Sequence, residues 1–334
     1  KKIIGNNSVY LLMNQKLSSI NSTLQGIRDK IQNNEIDKEK AVRIVTSIIL
    51  NSMDDLSRIN SLHILRELAP YDNKIYLILE NLATSDLNGN IRSISFQIIG
   101  ENFGSNSIIL LNWALVHEKN IQCLIEVIKA LTRINNKESR EILIEYLKKI
   151  ISKKDPFSKT EKYINAIKAL FKNHKLEFLS TSQISDIILN YIIISNLIDK
   201  FYYVHYELNR DSCLIHELDL SDIEYEVRGW KSEFKNEIKN LSEIIGLRYL
   251  KELKSLDLSN NMVEDVEDLT HLQKLENLIL TNNSLKNPIN IEYFKKLPHL
   301  RYLALVGNLL VKYLHKEDFN QNLTLKIAKY SYFQ

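Results

Sequence analysis

The sequence predicts a two-part repeat protein, in which stacked pairs of α-helices (an α-solenoid) precede an α/β solenoid unit with a short parallel sheet. Two internal repeats lead to this prediction, one of 34 to 39 residues in the first two-thirds of the chain and one of 22 to 25 residues in the last third. The composition agrees, because only 8 Gly and 4 Pro among 334 residues favour regular repeats over a loop-rich fold. The predicted domains are 1–200 and 201–334.

Small residues at equivalent positions mark the helical repeat. Ser61 and Ser95 lie in matching segments 34 residues apart, and an Ile-Lys-Ala-Leu tetrapeptide that begins at Ile128 recurs 39 residues later at Ile167. Apolar segments with helical spacing lie between these copies, at 75–79, 108–113 and 141–147. Each repeat is therefore predicted to be a helical hairpin, in which the small residues let neighbouring helices approach closely.

The period and the Arg-x-x-Ser-x-x-x-Ile-Gly pattern that begins at Arg92 resemble HEAT repeats, in a degenerate form over about residues 40 to 200. Armadillo-like and other helical repeats share these features. Any of these resemblances implies an array of about four or five helical pairs with an extended binding surface.

One amphipathic helix is predicted before the repeats. Its apolar stripe alternates spacings of four and three residues and comprises Met13, Leu17, Ile20, Leu24, Ile27 and Ile31. Two interpretations fit this stripe: a helix that caps the first repeat, which we favour, or a dimer-forming coiled coil.

A second motif, Leu-x-x-Leu-x-Leu-x-x-Asn, occurs three times and begins at Leu253, Leu275 and Leu300. In such a motif the Leu-x-Leu core is a short parallel strand, and the asparagine side chain binds backbone groups at the following turn. The motif is the leucine-rich-repeat signature, and it most resembles the 22-residue class of phosphatase-regulatory proteins. That resemblance implies binding of a protein partner through the concave face of the sheet.

The flanks of these three repeats are less regular. Residues 215 to 220 resemble a first strand that has Ile223 in place of the asparagine, and they follow a predicted hairpin whose turn is Asn209-Arg210-Asp211. We also predict a helix near Trp230 to Ile245, a cap after Asn308, and rigid packing of the two units, since no Gly or Pro lies between 157 and 228.

Side chains between the core leucines are expected on the concave face, because strand residues alternate sides. Ser221, which follows the irregular first strand, is expected on the same face as the candidate residues listed below. The face runs from acidic to apolar, and its mixture of charged and apolar groups suits a protein partner better than phosphate. Alternatively, so short a sheet serves only as an end cap. The candidate partner-binding residues are Glu217, Asp219, Ser255, Asp257, Ser259, Asn277, Ile279, Thr281, Tyr302, Ala304 and Val306.

Enzyme motifs for nucleotide, zinc or thiol chemistry are absent from the sequence, so we expect no catalytic activity, no cofactor and no metal. Cys213, His216, His205 and Asp211 fall near the hairpin, but they lack the spacing of paired metal ligands. Cys123 lies among apolar residues and is expected to be a buried, inert thiol.

A basic stretch supports the rival class, a nucleic-acid-binding HEAT-like protein of DNA repair or RNA association. It comprises Lys148, Lys149, Lys153, Lys154, Lys159 and Lys162. Lysines also suit a solvated helix end, and the inner helices carry Glu67, Glu101 and Glu126 as often as basic residues. We therefore expect no nucleic-acid partner.

Composition bounds the remaining classes. Net charge is only +3, two cysteines cannot form a disulfide framework, and no apolar stretch approaches the roughly 20 residues of a bilayer span. A reduced, soluble, cytoplasmic protein is expected. The sequence thus predicts a non-enzymatic scaffold or adaptor for protein–protein interaction, and the leucine-rich resemblance extends this to regulation of a signalling enzyme.

Overall fold

The computed structural model describes residues 26–69, 72–152, 160–173, 178–201, 204–221, 238–315, 319 and 323–327. Over these residues the chain is mostly helical, and its strands form one small mixed sheet of six strands. The chain divides into two compact units, Lys1–Ile142 and Leu143–Gln334. The domain boundary predicted at residues 200 and 201 stays a prediction.

Seven α-helices with defined first and last residues lie in the described residues up to Ser152. Residues 26–32 are also helical. Aspartates or asparagines precede most of them and accept a hydrogen bond from a backbone N–H of the first turn, which satisfies a donor that the helix itself cannot pair. The helices are α1 (Lys38–Asn51), α2 (Asp55–Leu68), α3 (Asn73–Ser85), α4 (Gly89–Asn102), α5 (Ile108–His117), α6 (Ile121–Ile134) and α7 (Lys137–Ser152).

The first six of these helices pack in sequential pairs, α1 with α2, α3 with α4 and α5 with α6, and α4 also contacts α2 and α6. Ser61 and Ser95 are fully buried, and each hydroxyl donates a hydrogen bond to the carbonyl four residues before it. A Cβ added at Gly100 would lie 2.4 Å from Cβ of Ala130, so α4 and α6 meet where only a glycine fits. The predicted hairpins and their close packing are confirmed for α1 to α6.

Arginine–carboxylate pairs join successive hairpins of the first unit. Arg92 on α4 binds Glu118 with Nε–Oε2 at 2.9 Å, and Arg58, 34 residues earlier, binds Asp86 through Nη2. A third pair joins Arg66 and Glu101 at 2.7 Å. A fourth pair, Arg28 with Glu67 at 3.0 Å, joins the helical residues 26–32 to α2. Burial raises the pKa of the Glu101 and Glu118 carboxyls, whereas the arginine partners and other hydrogen-bond donors lower it. The lowering effect is the larger one, so the pKa of each carboxyl lies below its usual value.

Two further helices, α8 (Glu161–Asn173) and α9 (Thr181–Lys200), contact the β-hairpin that follows them. Oη of Tyr163 on α8 donates to the carbonyl of Cys213 at 2.7 Å, and the Tyr163 side chain is fully buried. The Asn190 side chain on α9 accepts from the backbone N–H of Ile215 at 3.0 Å and is also buried. These contacts hold the hairpin against α8 and α9, while the rigid packing predicted for the units 1–200 and 201–334 stays a prediction.

The sheet order is β1-β2-β3-β4-β5-β6. β1 pairs with β2 antiparallel, which confirms the predicted hairpin, and every later pair is parallel. One short helix, α10 (Ile289–Lys295), lies between β4 and β5. The strands are β1 (His205–Leu208), β2 (Ile215–Asp219), β3 (Ser255–Asp257), β4 (Asn277–Ile279), β5 (Tyr302–Ala304) and β6 (Thr324–Lys326).

Some predictions fall outside the described residues or differ from the structure. Residues 1–25 and 222–237 lie outside the described residues. They include most of the N-terminal apolar stripe, Ile223, and the first half of the helix predicted near Trp230 to Ile245. The prediction for the second half of that helix is wrong, because within residues 238–245 only Leu241–Glu243 is helical, as a single 3-10 turn. Residues 153–159, with three lysines of the basic stretch, also lie outside the described residues.

Candidate protein-binding face

The strand register brings eight of the eleven predicted partner-binding residues onto one side of the sheet, and the other three, Ser259, Thr281 and Val306, follow the strand ends. One row across the strands joins Glu217, Ser255, Asn277, Tyr302 and Thr324, and the next joins Asp219, Asp257, Ile279, Ala304 and Lys326. The leucines between these rows, Leu218, Leu256, Leu278 and Leu303, are buried on the opposite side. We call the side that carries the two rows the open sheet face.

Asparagine side chains hold the turns that follow the strands. Nδ2 of Asn283 donates to the carbonyls of Leu258 at 2.8 Å and Leu280 at 3.1 Å, and its Oδ1 accepts from the N–H of Val263 at 2.9 Å. Asn261 and Asn308 make the corresponding contacts one repeat before and one repeat after. The predicted role of these asparagines is confirmed, and it fixes the direction in which each strand presents its side chains.

The predicted residues differ in how much surface they offer. Glu217 and Asn277 are exposed, whereas Ser259, Ala304 and Val306 are buried. The half-buried members, which keep part of their side chain accessible, are Asp219, Ser255, Asp257, Ile279, Thr281 and Tyr302. The exposed and half-buried residues are therefore the ones whose side chains are accessible on this face.

Carboxylates dominate the β2–β3 end of the face. The carboxylate of Asp257 accepts from the N–H of Ser259 at 2.8 Å and from its hydroxyl at 2.5 Å, and that of Asp219 accepts from the N–H of Ser221 at 2.9 Å. These bonds orient both carboxylates at the ends of their strands. Glu217 has 54% of its side chain exposed, and Nε2 of His216 lies 3.8 Å from its carboxylate.

Apolar side chains occupy the middle of the face. Ile279 on β4 and Tyr302 on β5 lie in adjacent rows of neighbouring strands and are both half-buried. Just before these strands, Glu276 binds Lys254 at 3.1 Å and Arg301 at 3.7 Å. The hydrogen bond from Lys254 lowers the pKa of Glu276. The apolar centre is thus bordered by a charged edge, as in the core and rim of protein interfaces.

Sequence reasoning missed two extensions of this face. His205 pairs with Asp219 and Glu207 pairs with Glu217, so β1 adds these two side chains to the acidic end. Nζ of Lys162 binds Glu207 at 2.8 Å and lowers its pKa. At the other end β6 adds Thr324 and Lys326, both exposed. The sequence contains a pattern for each strand: the predicted hairpin at 201–220 for β1, and the alternation Leu-Thr-Leu-Lys-Ile at 323–327 for β6.

Both cysteines of the sequence, Cys213 near the hairpin and Cys123, are free and buried. Cys213 is buried, its thiol contacts the carbonyl of Ala166 at 3.3 Å, and burial raises its pKa to about 11. Cys123 is buried as predicted, and burial raises the pKa of its thiol to about 12. Among the described residues no group of three or more His, Cys, Asp or Glu side chains is placed to hold a metal ion.

Comparison of the chain with protein-family models, with curated proteins and with solved structures found no match. None of the described helices combines the length and the apolar character that crossing a bilayer requires.

Proposed function

We propose that this protein is a non-enzymatic adaptor, built of HEAT-like helical repeats and leucine-rich repeats, that binds a protein partner on the open sheet face. The observation that carries the proposal is the register of β2 to β6, which aligns acidic, amide, apolar and aromatic side chains in two continuous rows. Such a mixture of a few apolar anchors among polar groups is typical of protein interfaces.

Recurring contacts support the repeat part of this proposal. Asn261, Asn283 and Asn308 each bind backbone groups of their own repeat and of a neighbouring one. In the helical part, Arg58 and Arg92 occupy equivalent positions and each bind a carboxylate of the next segment. The same side chain in the same role at a fixed period is the property of a repeat array. Regulation of a signalling enzyme rests on the leucine-rich resemblance alone.

Charge pairing on the helices speaks against the nucleic-acid alternative. Arg66, Arg92 and Lys129 each lie 2.7 to 2.9 Å from the carboxylate oxygen of a glutamate. A phosphate backbone would have to displace these carboxylates, which lowers the electrostatic gain of binding. The alternative predicts a mobility shift of DNA or RNA at low salt, and we expect none.

Affinity capture from a lysate of the source cell tests the proposal. The native chain is compared with a triple variant of the open sheet face, Asp257→Lys, Ile279→Glu and Tyr302→Ala. A control variant carries the same kinds of change at exposed positions off the face, Glu264→Lys, Leu77→Glu and Tyr313→Ala. Circular dichroism and thermal melting first establish that both variants are folded.

We expect one defined protein to be captured by the native chain and the control but lost from the face variant, since truncating a hot-spot residue costs about 2 kcal/mol or more of binding. Identical captures by all three chains would contradict the proposal. Recovery of nucleic acid in place of protein would favour the alternative.

A further inference from the structure

The open sheet face changes in charge along the order of its strands. The row that begins with Asp219 and Asp257 continues through Ile279 and Ala304 and ends at Lys326. The row beside it begins with the exposed Glu217. The face therefore has an acidic end, an apolar middle and a basic end, in that order.

Cations close to the acidic end are engaged by other carboxylates. Lys162 binds Glu207 at 2.8 Å, and Lys254 binds Glu276 at 3.1 Å. Glu217 has the histidine contact at 3.8 Å described above, and among the described residues the Asp219 carboxylate accepts a hydrogen bond from the backbone N–H of Ser221. A cation brought by a partner would thus meet carboxylates that no described lysine or arginine neutralises.

The opposite end differs in both charge and exposure. Lys326 on β6 is exposed, and its side chain lies in the same row as Asp219, four strands away. Between them, Ile279 and Tyr302 supply the apolar contact area. An occupant that matches the whole row must itself carry opposite charges at its two ends, with an apolar side chain between them.

Strand spacing sets the length of that occupant. Neighbouring strands lie about 4.8 Å apart, so β2 and β4 are separated by roughly 10 Å, and β4 and β6 by the same distance. A peptide in the extended polyproline II conformation rises about 3.1 Å per residue and has three residues per turn. Side chains three residues apart therefore point to the same side and cover each of these steps.

Resting on the proposed function, we propose that the partner segment is a peptide in the extended polyproline II conformation, with two neighbouring Lys or Arg residues over Glu217 and Asp219. It carries an apolar side chain about three residues further, over Ile279 and Tyr302, and an Asp or Glu about three residues beyond that, near Lys326. The charge order of the face selects this polarity, because the reversed peptide would place like charges together at both ends.

Fluorescence anisotropy of labelled synthetic peptides with the full chain tests the assignment. The matching peptide has 14 residues and contains Arg-Arg-x-x-Leu-x-x-Glu within a neutral Gly-Ser background. A charge-reversed peptide exchanges the arginines for glutamates and the glutamate for arginine. A respaced peptide has the same composition but places the leucine at the far end. The protein variants are Glu217→Lys with Asp219→Lys and, as matched control, Glu145→Lys with Glu264→Lys, both exposed and off the face.

We expect the matching peptide to bind the native chain and the control with a Kd below about 1 mM. Binding by the Glu217→Lys, Asp219→Lys variant should weaken about tenfold or more, since hydrogen bonds to charged groups are lost. This variant should instead prefer the charge-reversed peptide. Raising the salt concentration should weaken the native complex.

Three results would overturn the assignment: no binding of the matching peptide, equal binding of the matching and respaced peptides, or unchanged binding by the Glu217→Lys, Asp219→Lys variant. Repeating the capture experiment with the Glu217→Lys, Asp219→Lys variant separates this failure from failure of the proposed function. A partner that is lost from the Asp257→Lys, Ile279→Glu, Tyr302→Ala variant but kept by the Glu217→Lys, Asp219→Lys variant keeps the adaptor function and removes the charge assignment.

Discussion

At the scale of single residues, the sheet depends on side chains that replace backbone pairing. Its parallel strands β3 to β6 are only three residues long, so their ladders supply few hydrogen bonds. Asn283, which is 9% exposed, adds bonds to the carbonyls of Leu258, Leu280 and Thr281 and one from the N–H of Val263. Buried backbone groups that lose such a partner are costly.

Asn283→Ala is therefore expected to lower the free energy of unfolding by on the order of 3 kcal/mol. Asn277→Ala, which removes an exposed amide of β4, is the matched control and should change it by less than about 0.5 kcal/mol. Urea titration followed by circular dichroism measures both. Equal stabilities of the two variants would show that the Asn283 bonds contribute nothing to the sheet.

The sequence predicts these asparagines from their spacing but not the strain beside them. Asn260 and Asn282 adopt positive φ values of 57° and 54°, and Gly307 follows at the equivalent position with 82°. A Cβ on Gly307 would lie 2.4 Å from Oδ1 of Asn282. The choice between Asn and Gly here depends on the side chain of the neighbouring repeat, which no local pattern contains.

At the scale of elements, helix packing in the first unit depends on close approach more than on bulk. α4 meets α6 with Gly100 against Ala130, and the small residues Ser61 on α2 and Ser95 on α4 are fully buried. The periodicity of Ser61 and Ser95 was enough to predict this packing. That periodicity did not predict that α4 and α6 would meet at a position where only a glycine fits.

Gly100→Ala is expected to lower the free energy of unfolding by about 1–3 kcal/mol, because the added Cβ would overlap the Ala130 side chain. Alanine is intrinsically the better helix former by about 1 kcal/mol. Gly26→Ala is the control, since nothing lies within 4 Å of the added Cβ, and it should leave stability unchanged or raise it. Thermal melting compares the two, and a stabilised Gly100→Ala variant would contradict the close approach.

Strands at the two edges of the sheet show the limit of pattern reasoning. β1 was predicted as part of a hairpin, but its place on the open sheet face follows from the pairing of His205 with Asp219. β6 was not predicted, because Leu323 to Ile327 alternates over only five residues and carries no asparagine motif. Both strands acquire their role through long-range pairing, which a local pattern specifies weakly.

At the scale of the whole molecule, the proposed adaptor separates a repeat scaffold from a recognition surface. The leucines on one side of the sheet are buried and hold the strands, whereas the open sheet face presents side chains that packing does not require. Exposed Glu217, Asn277 and Lys326 can therefore change without cost to the fold, and their chemistry is available for partner choice.

Site-specific photocrosslinking tests this central claim most directly. A benzophenone-bearing residue replaces Asn277, exposed on β4, and in a matched protein it replaces Lys286, exposed in the turn after the same strand. Both proteins are irradiated in a lysate of the source cell. We expect a single protein adduct from position 277 and none from position 286. Equal adducts from both positions, or an adduct from position 286 alone, would contradict binding on the open sheet face.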